Sequence, residues 1–513
     1  MTHSRQADDL IEALTTPGAP GGVAGVVLRG ELVWSAAFGL ADLSTGAPFG
    51  ADTRFHVCSI TKTFTAMLLG LLEADGVLGL DDSLHDHLPS VPDYGERLTL
   101  RHLVTNTSGL RDYFPLMWLE AGRQLGAYPR EPMERHALAQ PTLMFPPGSR
   151  YAYSNSNFVA LCRVMEAATG RSYAELVEAR ILRPLGMTRS AFRTQTIPEP
   201  DGAALGYFQD GQGGFCAPRV DVHEAGDGGM WSTLRDMARY GGALASGAFG
   251  PEGLVARLTA PAVLTTGDLN WYGCGFGTGE RGGLRWFGHA GGLAGMSTNL
   301  ACFPDRGAAV ITAFNGPSGD AEELGFKLAD IFLNLPPQLA APAGDEPLEA
   351  GWAGCWQDER SGLTVEIESR QGQAGLTQFG WTVPLSASGQ GVLEDRESGT
   401  VVRRLGEDEI SLAAGRSAPV KLWRRAPGAS PTPEGDFQGL EVRARFAIAG
   451  DTATLLASDG GETAFALRPI AADVWNLVTP AGDRAGAVIT RTGEGDLLLS
   501  MSKAERIQFR RVS

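Results

Sequence analysis

Two side chains three residues apart, Ser59 and Lys62, open a segment whose continuation through Thr63, Ala66, Met67 and Leu69-Gly70-Leu71 is almost wholly apolar. Such a segment reads as a helix buried inside a domain. Residues three apart on a helix project from one face, so a hydroxyl stands beside an ammonium where a charged lysine is costly. A serine hydroxyl is a poor nucleophile at neutral pH and needs a neighbour to take its proton. A partly desolvated lysine disfavours its own ammonium and can share that work. Taken alone, the pair is equally a helix start with a lysine reaching outward.

Two other segments supply what that pair lacks. Tyr153-Ser154-Asn155 follows the turn Pro146-Pro147-Gly148 and precedes a helix, which places it on a loop able to aim side chains into a cleft. A phenol held between Lys62 and the nucleophile can exist partly as phenolate and relay a proton, and an amide such as Asn155 can hold Lys62 and a substrate carbonyl together. His289-Ala290-Gly291-Gly292 ends an apolar strand, and its small residues let a substrate backbone lie against the strand edge. Each segment alone fits an ordinary structural role. Their order, nucleophile pair, then Tyr-x-Asn, then a basic residue-x-Gly on a late strand, favours one catalytic arrangement. Cys58, beside Ser59, is a second candidate nucleophile, but it has no lysine on its own helical face.

The elements that must position these residues follow from the rest of the chain. Gly22–Trp34 reads as a hairpin turning at Arg29-Gly30. A helical middle follows, with a helix from about Val159 to Ala168 closed by Gly170. Strand signals return at Trp271–Phe276, Leu284–His289, Ser297–Phe303 and Ala308–Phe314, and a helix over about Gly319–Leu333 closes the unit. The pattern predicts one mixed sheet flanked by helices. Beyond it lie short alternating strands in two comparable halves. The halves open on Trp352-Ala353-Gly354 and Phe437-Gln438-Gly439, and close on Lys421-Leu422-Trp423-Arg424-Arg425 and Ile507-Gln508-Phe509-Arg510-Arg511. This internal duplication predicts two small antiparallel barrels. The expected domains are 1–334, a Pro/Ala linker at 335–347, a first barrel at 348–426, a linker at 427–434 and a second barrel at 435–513.

Composition narrows the function. The 513 residues are 43% hydrophobic and 20% charged, as in a globular protein, and a net charge of −16 argues against nucleic acid and anionic membrane surfaces as partners. No secretory leader or apolar run of membrane-spanning length is visible. Six scattered cysteines with no C-x-x-C spacing read as free thiols in a reducing compartment, so a cytoplasmic location is expected.

With Ser59-Ile60-Thr61-Lys62, Tyr153-Ser154-Asn155 and His289-Ala290-Gly291 in order, the chain resembles the penicillin-recognising serine hydrolases, which carry S-x-x-K, Y-x-N and K-T-G or H-x-G. Within that group it is most similar to the D-aminopeptidases, through the histidine in place of lysine, the chain length and the paired barrels. The resemblance implies an α+β fold: a β-lactamase/transpeptidase-like domain followed by two antiparallel eight-stranded, lipocalin-like barrels. It implies Ser59 as the acylated nucleophile, Lys62 and Tyr153 as the general-base pair, and Asn155 orienting Lys62 and substrate. His289 stands where relatives place lysine, and Gly291 and Gly292 line the strand edge. The backbone N–H groups of Ser59 and Gly292 would form the oxyanion hole, with no cofactor.

The histidine bears on the substrate. A mostly neutral imidazole holds a carboxylate less well than lysine does, which leans away from carboxypeptidase and β-lactamase action. In the D-aminopeptidases a loop of the last barrel supplies acid for the substrate's ammonium; the corresponding stretch here, Thr479–Gly486, offers Asp483, with Arg484 beside it. The expected activity is hydrolysis of N-terminal D-amino acids from peptides, amides or esters bearing a free amine. An esterase, amidase or β-lactamase-like hydrolase without that requirement is the alternative. The resemblance also makes β-lactams candidate inhibitors and a homodimer the candidate assembly.

Overall fold

A computed structural model describes residues 3–121, 127–193, 202–217, 221–222, 225–293, 295–336, 351–358, 361–370, 373–378, 381–395, 399–414, 419–480 and 484–512. The elements that build the catalytic region are α1 (His3–Leu14), β1 (Gly22–Leu28), β2 (Glu31–Phe38), α2 (Thr61–Ala74), α3 (Asn155–Thr169), α4 (Leu234–Ser246), β3 (Gly277–Arg281), β4 (Leu284–Leu293), β5 (Met296–Phe303), β6 (Ala308–Phe314) and α5 (Ala321–Leu333). Their strands form one six-stranded sheet in the order β3-β4-β5-β6-β1-β2. Every pairing in it is antiparallel, so the expected mixed sheet is corrected to a purely antiparallel one. Each strand from β3 to β6 is joined to the next by a short turn, which leaves no room for the crossover that parallel pairing needs.

The central strands β1 and β6 are apolar along their whole length because both faces of the sheet are covered. On one face α1 and α5 pack Ala7, Ile11, Phe326 and Leu328 against Trp34, Phe38 and Trp286. The larger core lies on the other face, around α2, whose residues Thr61–Leu72 are all buried. The β1–β2 turn falls at Arg29-Gly30 as predicted, with φ of +53° and +85°, matching the twist of a two-residue hairpin.

Two local expectations change. Trp271–Phe276 is a loop, and the edge strand begins directly after it, at Gly277. Gly275 has φ +71°, and a Cβ there would meet Ala66 Cβ at 2.7 Å and the Lys62 carbonyl oxygen at 2.8 Å. Close packing on α2 thus outweighs the strand propensity of Trp271 and Tyr272. The helix expected from Val159 instead starts at Asn155, with Ser154 as its extended N-cap.

Beyond this region stand two closed eight-stranded antiparallel barrels, over Gly354–Arg424 and Gly435–Arg511. The duplicated opening and closing segments are the seams of closure: Trp356 pairs with Arg424 in the first barrel and Phe437 with Arg511 in the second. Closure removes the exposed edges that such short strands would otherwise present. The elements used below are β7 (Gln373–Gln378) and β8 (Trp381–Gly389) of the first barrel, and β9 (Leu497–Met501) and β10 (Ala504–Arg511) of the second. Most of the proposed first linker lies outside the described residues, as does Asp483. Among the described residues no helix is long and apolar enough to cross a membrane. All six cysteines are free.

The second barrel is tied to the catalytic region through Arg111. This buried guanidinium donates to the carbonyl oxygens of Glu505 (2.8 Å), Arg506 (3.0 Å) and Thr142 (2.7 Å), and lies 3.3 Å from the equally buried Glu441 carboxylate. Arg150 pairs with Glu505 at 2.6 Å. Leu116 and Leu119 insert into the barrel's own core cluster.

Candidate active site

Ser59 lies in a single 3₁₀ turn, Cys58–Ile60, that leads directly into α2. The preceding Cys58 has φ +53°, a conformation that costs a non-glycine residue on the order of 1 kcal/mol and must be held by its surroundings. They do hold it: Thr61 Oγ1 donates to the Cys58 carbonyl at 2.7 Å and Thr298 Oγ1 to the Val57 carbonyl at 3.1 Å. The turn presents the Ser59 hydroxyl, half-buried, above a helix that is buried from Thr61 to Leu72.

One helical step away, Lys62 is fully buried, and its Nζ donates to Ser59 Oγ at 3.1 Å and to the Asp227 carbonyl oxygen at 2.9 Å. Tyr153 Oη donates to the same Ser59 Oγ at 2.9 Å. The Lys62 ammonium lies 5.0 Å from the Tyr153 ring centre and 5.4 Å from that of Phe158. Burial pulls the Lys62 pKa from 10.5 to about 8, against the opposing pull of Asp227 and Asp112. Burial also holds the Tyr153 phenol well above its ordinary value of 10.0, with the Lys503 ammonium pulling it back. The resting tyrosine is therefore a neutral phenol rather than a partial phenolate, and Lys62 is the group poised to titrate near neutrality. Cys58 is no competitor: its thiol is buried, held at His56, and pushed up to about 12.

His289 sits on β4 beside this cluster, its ring 6.1 Å from that of Tyr153. Its Nδ1 bonds the Ala290 carbonyl, which requires a proton there, so Nε2 is left as the acceptor for the Tyr272 hydroxyl at 2.9 Å. This tautomer is neutral. Burial, followed by the field of Lys62, keeps the imidazole well below its ordinary 6.5. Two residues on, a Cβ on Gly291 would lie 2.8 Å from the Ser59 backbone nitrogen and 2.7 Å from Cys58 Cβ. Only glycine lets β4 pass this close to the Ser59 turn, which brings Gly291 alongside the Ser59 N–H.

Asn155 is placed differently from expectation. Its amide donates to Asp112 Oδ2 at 2.6 Å, and its backbone N–H donates to the same oxygen at 3.1 Å, in place of a bond to Lys62. As the first residue of α3 it is held at the helix N-terminus, where a carboxylate such as Asp112 is favoured. Ser59, Lys62, Tyr153, His289 and Gly291 thus come together directly, and Asn155 joins them through Asp112.

Four residues at the site escaped the sequence reading. Asp112 lies in a polar, glycine-containing stretch (Asn106–Tyr113) whose composition marks it as unusual, so a signal for it existed. Asp227 is buried, its carboxylate accepting from Tyr113 Oη at 2.8 Å, and nothing local announces it. Tyr272 lies in the stretch misread as strand. Lys503 arrives from the second barrel, at the tip of the β9–β10 hairpin, with φ +64° and its Nζ 4.9 Å from the Tyr153 ring centre. Its carbonyl accepts from the Asp112 N–H at 2.8 Å.

Comparisons with known proteins agree with this geometry. The Beta-lactamase family model matches residues 7–331, more than half of the chain. A D-aminopeptidase of Brucella anthropi is 30% identical over 509 residues, covering 96% of this chain and 95% of its own. Among solved structures, the octameric penicillin-binding protein homologue from Pyrococcus abyssi shares the fold over 88% of this chain and 98% of its own, with a TM-score of 0.61 at 20% identity. A D-stereospecific amidohydrolase from Streptomyces sp. is 26% identical with a TM-score of 0.53, over 65% of this chain and 99% of its own. The chain belongs to the Beta-lactamase family, as a serine hydrolase related over nearly its whole length to a D-aminopeptidase.

Proposed function

We propose that this protein is a D-aminopeptidase that removes N-terminal D-amino acids from peptides, amides or esters through an acyl-enzyme on Ser59. The observation that carries the mechanism is the convergence of Lys62 Nζ and Tyr153 Oη on Ser59 Oγ, at 3.1 and 2.9 Å. In its neutral form Lys62 takes the Ser59 proton as Oγ attacks the substrate carbonyl. The developing oxyanion is held by the backbone N–H groups of Ser59 and Gly292. Tyr153 gives its proton to the leaving nitrogen and regains one from Lys62. Water then cleaves the ester by the reverse sequence.

His289 supports the choice of substrate. A neutral imidazole already engaged by Tyr272 does not offer the cation that relatives with lysine present at this position. Near-full-length similarity to a D-aminopeptidase, both barrels included, supports a free amine on the acyl side. Asp483 is our candidate for the carboxylate that reads that amine. The cytoplasm as location, a homodimer as assembly and β-lactams as inhibitors belong to the same reading.

The test is release of p-nitroaniline from D-alanine p-nitroanilide, run beside its L-isomer and its N-acetylated form. Hydrolysis of the free D-amine alone is expected, and Asp483→Asn is expected to raise KM for it. Equal or faster cleavage of the blocked form overturns the aminopeptidase reading in favour of an esterase or amidase.

A further inference from the structure

A cavity of about 300 Å³ opens on Tyr153 and runs to the mouth of the first barrel. One wall is apolar: Leu376 of β7 with Trp381 and Val383 of β8. Trp381 is 79% exposed, so most of its ring surface is open to an apolar group. The other wall carries the exposed Lys503. Among the described residues no carboxylate pairs with that ammonium; Glu505, on the same wall, is taken by Arg150. The lysine is not placed by chance, because its carbonyl is fixed by the N–H of Asp112, the residue that also holds Asn155.

Proton bookkeeping says which half of a substrate enters this cavity. As the Ser59 Oγ–acyl bond forms and the C–N bond breaks, the proton lost by Ser59 must reach the departing nitrogen through Lys62 and Tyr153. The leaving amine therefore departs on the Tyr153 face, into the cavity that opens there. In a leaving amino acid the α-carboxylate is separated from that nitrogen by only one carbon, within the neighbourhood of Lys503. The neutral His289 supplies no cation of its own.

We propose that Lys503 is a specificity-determining residue that binds the free α-carboxylate of the leaving amino acid, while that residue's apolar side chain packs on Trp381 and Val383. The preferred substrates are then D-aminoacyl dipeptides with an apolar second residue and a free C-terminus. This rests on the acyl-enzyme reading of Ser59. The carboxylate is then read from the second barrel rather than from β4, and the free amine on the acyl side is what separates these substrates from those of a carboxypeptidase.

The experiment compares kcat/KM for D-alanyl-leucine and D-alanyl-leucinamide with the full-length protein and its Lys503→Gln and Lys503→Arg variants. The wild type is expected to favour the acid over the amide at least tenfold. In Lys503→Gln that ratio falls to near one, mainly through KM, while Lys503→Arg keeps most of it. A wild-type ratio at or below one, or a ratio unchanged in Lys503→Gln, overturns the proposal. Should Lys503→Gln fail to fold by circular dichroism, salt decides: the wild-type ratio must fall as ionic strength rises, and a constant ratio overturns the proposal. D-alanine p-nitroanilide has no carboxylate, so its hydrolysis reports separately on the acyl-enzyme. Turnover of the anilide with no preference for the acid defeats the role of Lys503 alone.

Discussion

The neutral fraction of Lys62 should set the rate at which Ser59 is acylated. Burial lowers the Lys62 pKa from 10.5 to about 8, which corresponds to about 3 kcal/mol in favour of the neutral amine. Only that form can accept the Ser59 proton. Its population is about 1% at pH 6, about 10% at pH 7 and about half at pH 8. A substrate amine titrates in the same range and would confuse the profile, so the assay is labelling of Ser59 by an uncharged fluorophosphonate, followed by intact mass. The rate should rise about tenfold per pH unit below 7, bend near 8 and level above about 9. Asp227 is the largest of the influences that raise the Lys62 pKa against burial. Asp227→Asn should therefore move the bend to lower pH, since removing a neighbouring negative charge disfavours the ammonium further. A rate that is flat between pH 6 and 9, or a bend that moves upward in Asp227→Asn, would refute this account of the base.

Three further variants test the same geometry. Ser59→Ala should abolish turnover with an unchanged far-ultraviolet spectrum, whereas Tyr153→Phe, which deletes the hydroxyl 2.9 Å from Ser59 Oγ, should slow hydrolysis of D-alanine p-nitroanilide by roughly 10²- to 10³-fold; near-wild-type activity in Ser59→Ala would defeat the mechanism. Arg111→Ala leaves the buried Glu441 without its cation and two barrel carbonyls without their donor, a loss of about 3–5 kcal/mol. Thermal unfolding should show this as a midpoint several degrees lower, with the second barrel becoming more sensitive to limited proteolysis. An unchanged midpoint would mean that the barrel is held elsewhere.

Much of this protein was readable without coordinates, and for identifiable reasons. Ser59 and Lys62 are joined by helical geometry, a local relation that spacing alone conveys. The β1–β2 turn at Arg29-Gly30 and the alternating strands of the barrels are likewise local, and the repeated Trp352 and Phe437 segments announced a duplicated unit. The segments of Tyr153 and His289 could be recognised by type and order, although nothing local says that a phenol 94 residues from Ser59 ends beside it. The start of α3 was missed because Asn155 is stabilised there by Asp112, from a loop far away in the chain. The strand misread at Trp271–Phe276 yielded to the contact of Gly275 with α2. The neutral fraction of Lys62 was decided by tertiary structure alone: the same lysine in water would have almost none at pH 7, against about 10% here. Lys503 is the clearest case. In sequence it is an exposed residue in a hairpin turn, and only the docking of the second barrel through Arg111 and Asp112 carries its charge to Tyr153. Helix, turn and strand periods depend on neighbours in the chain and so are written in it. The charge environment of Ser59 depends on groups that become neighbours only when the chain folds and the second barrel packs against the catalytic region.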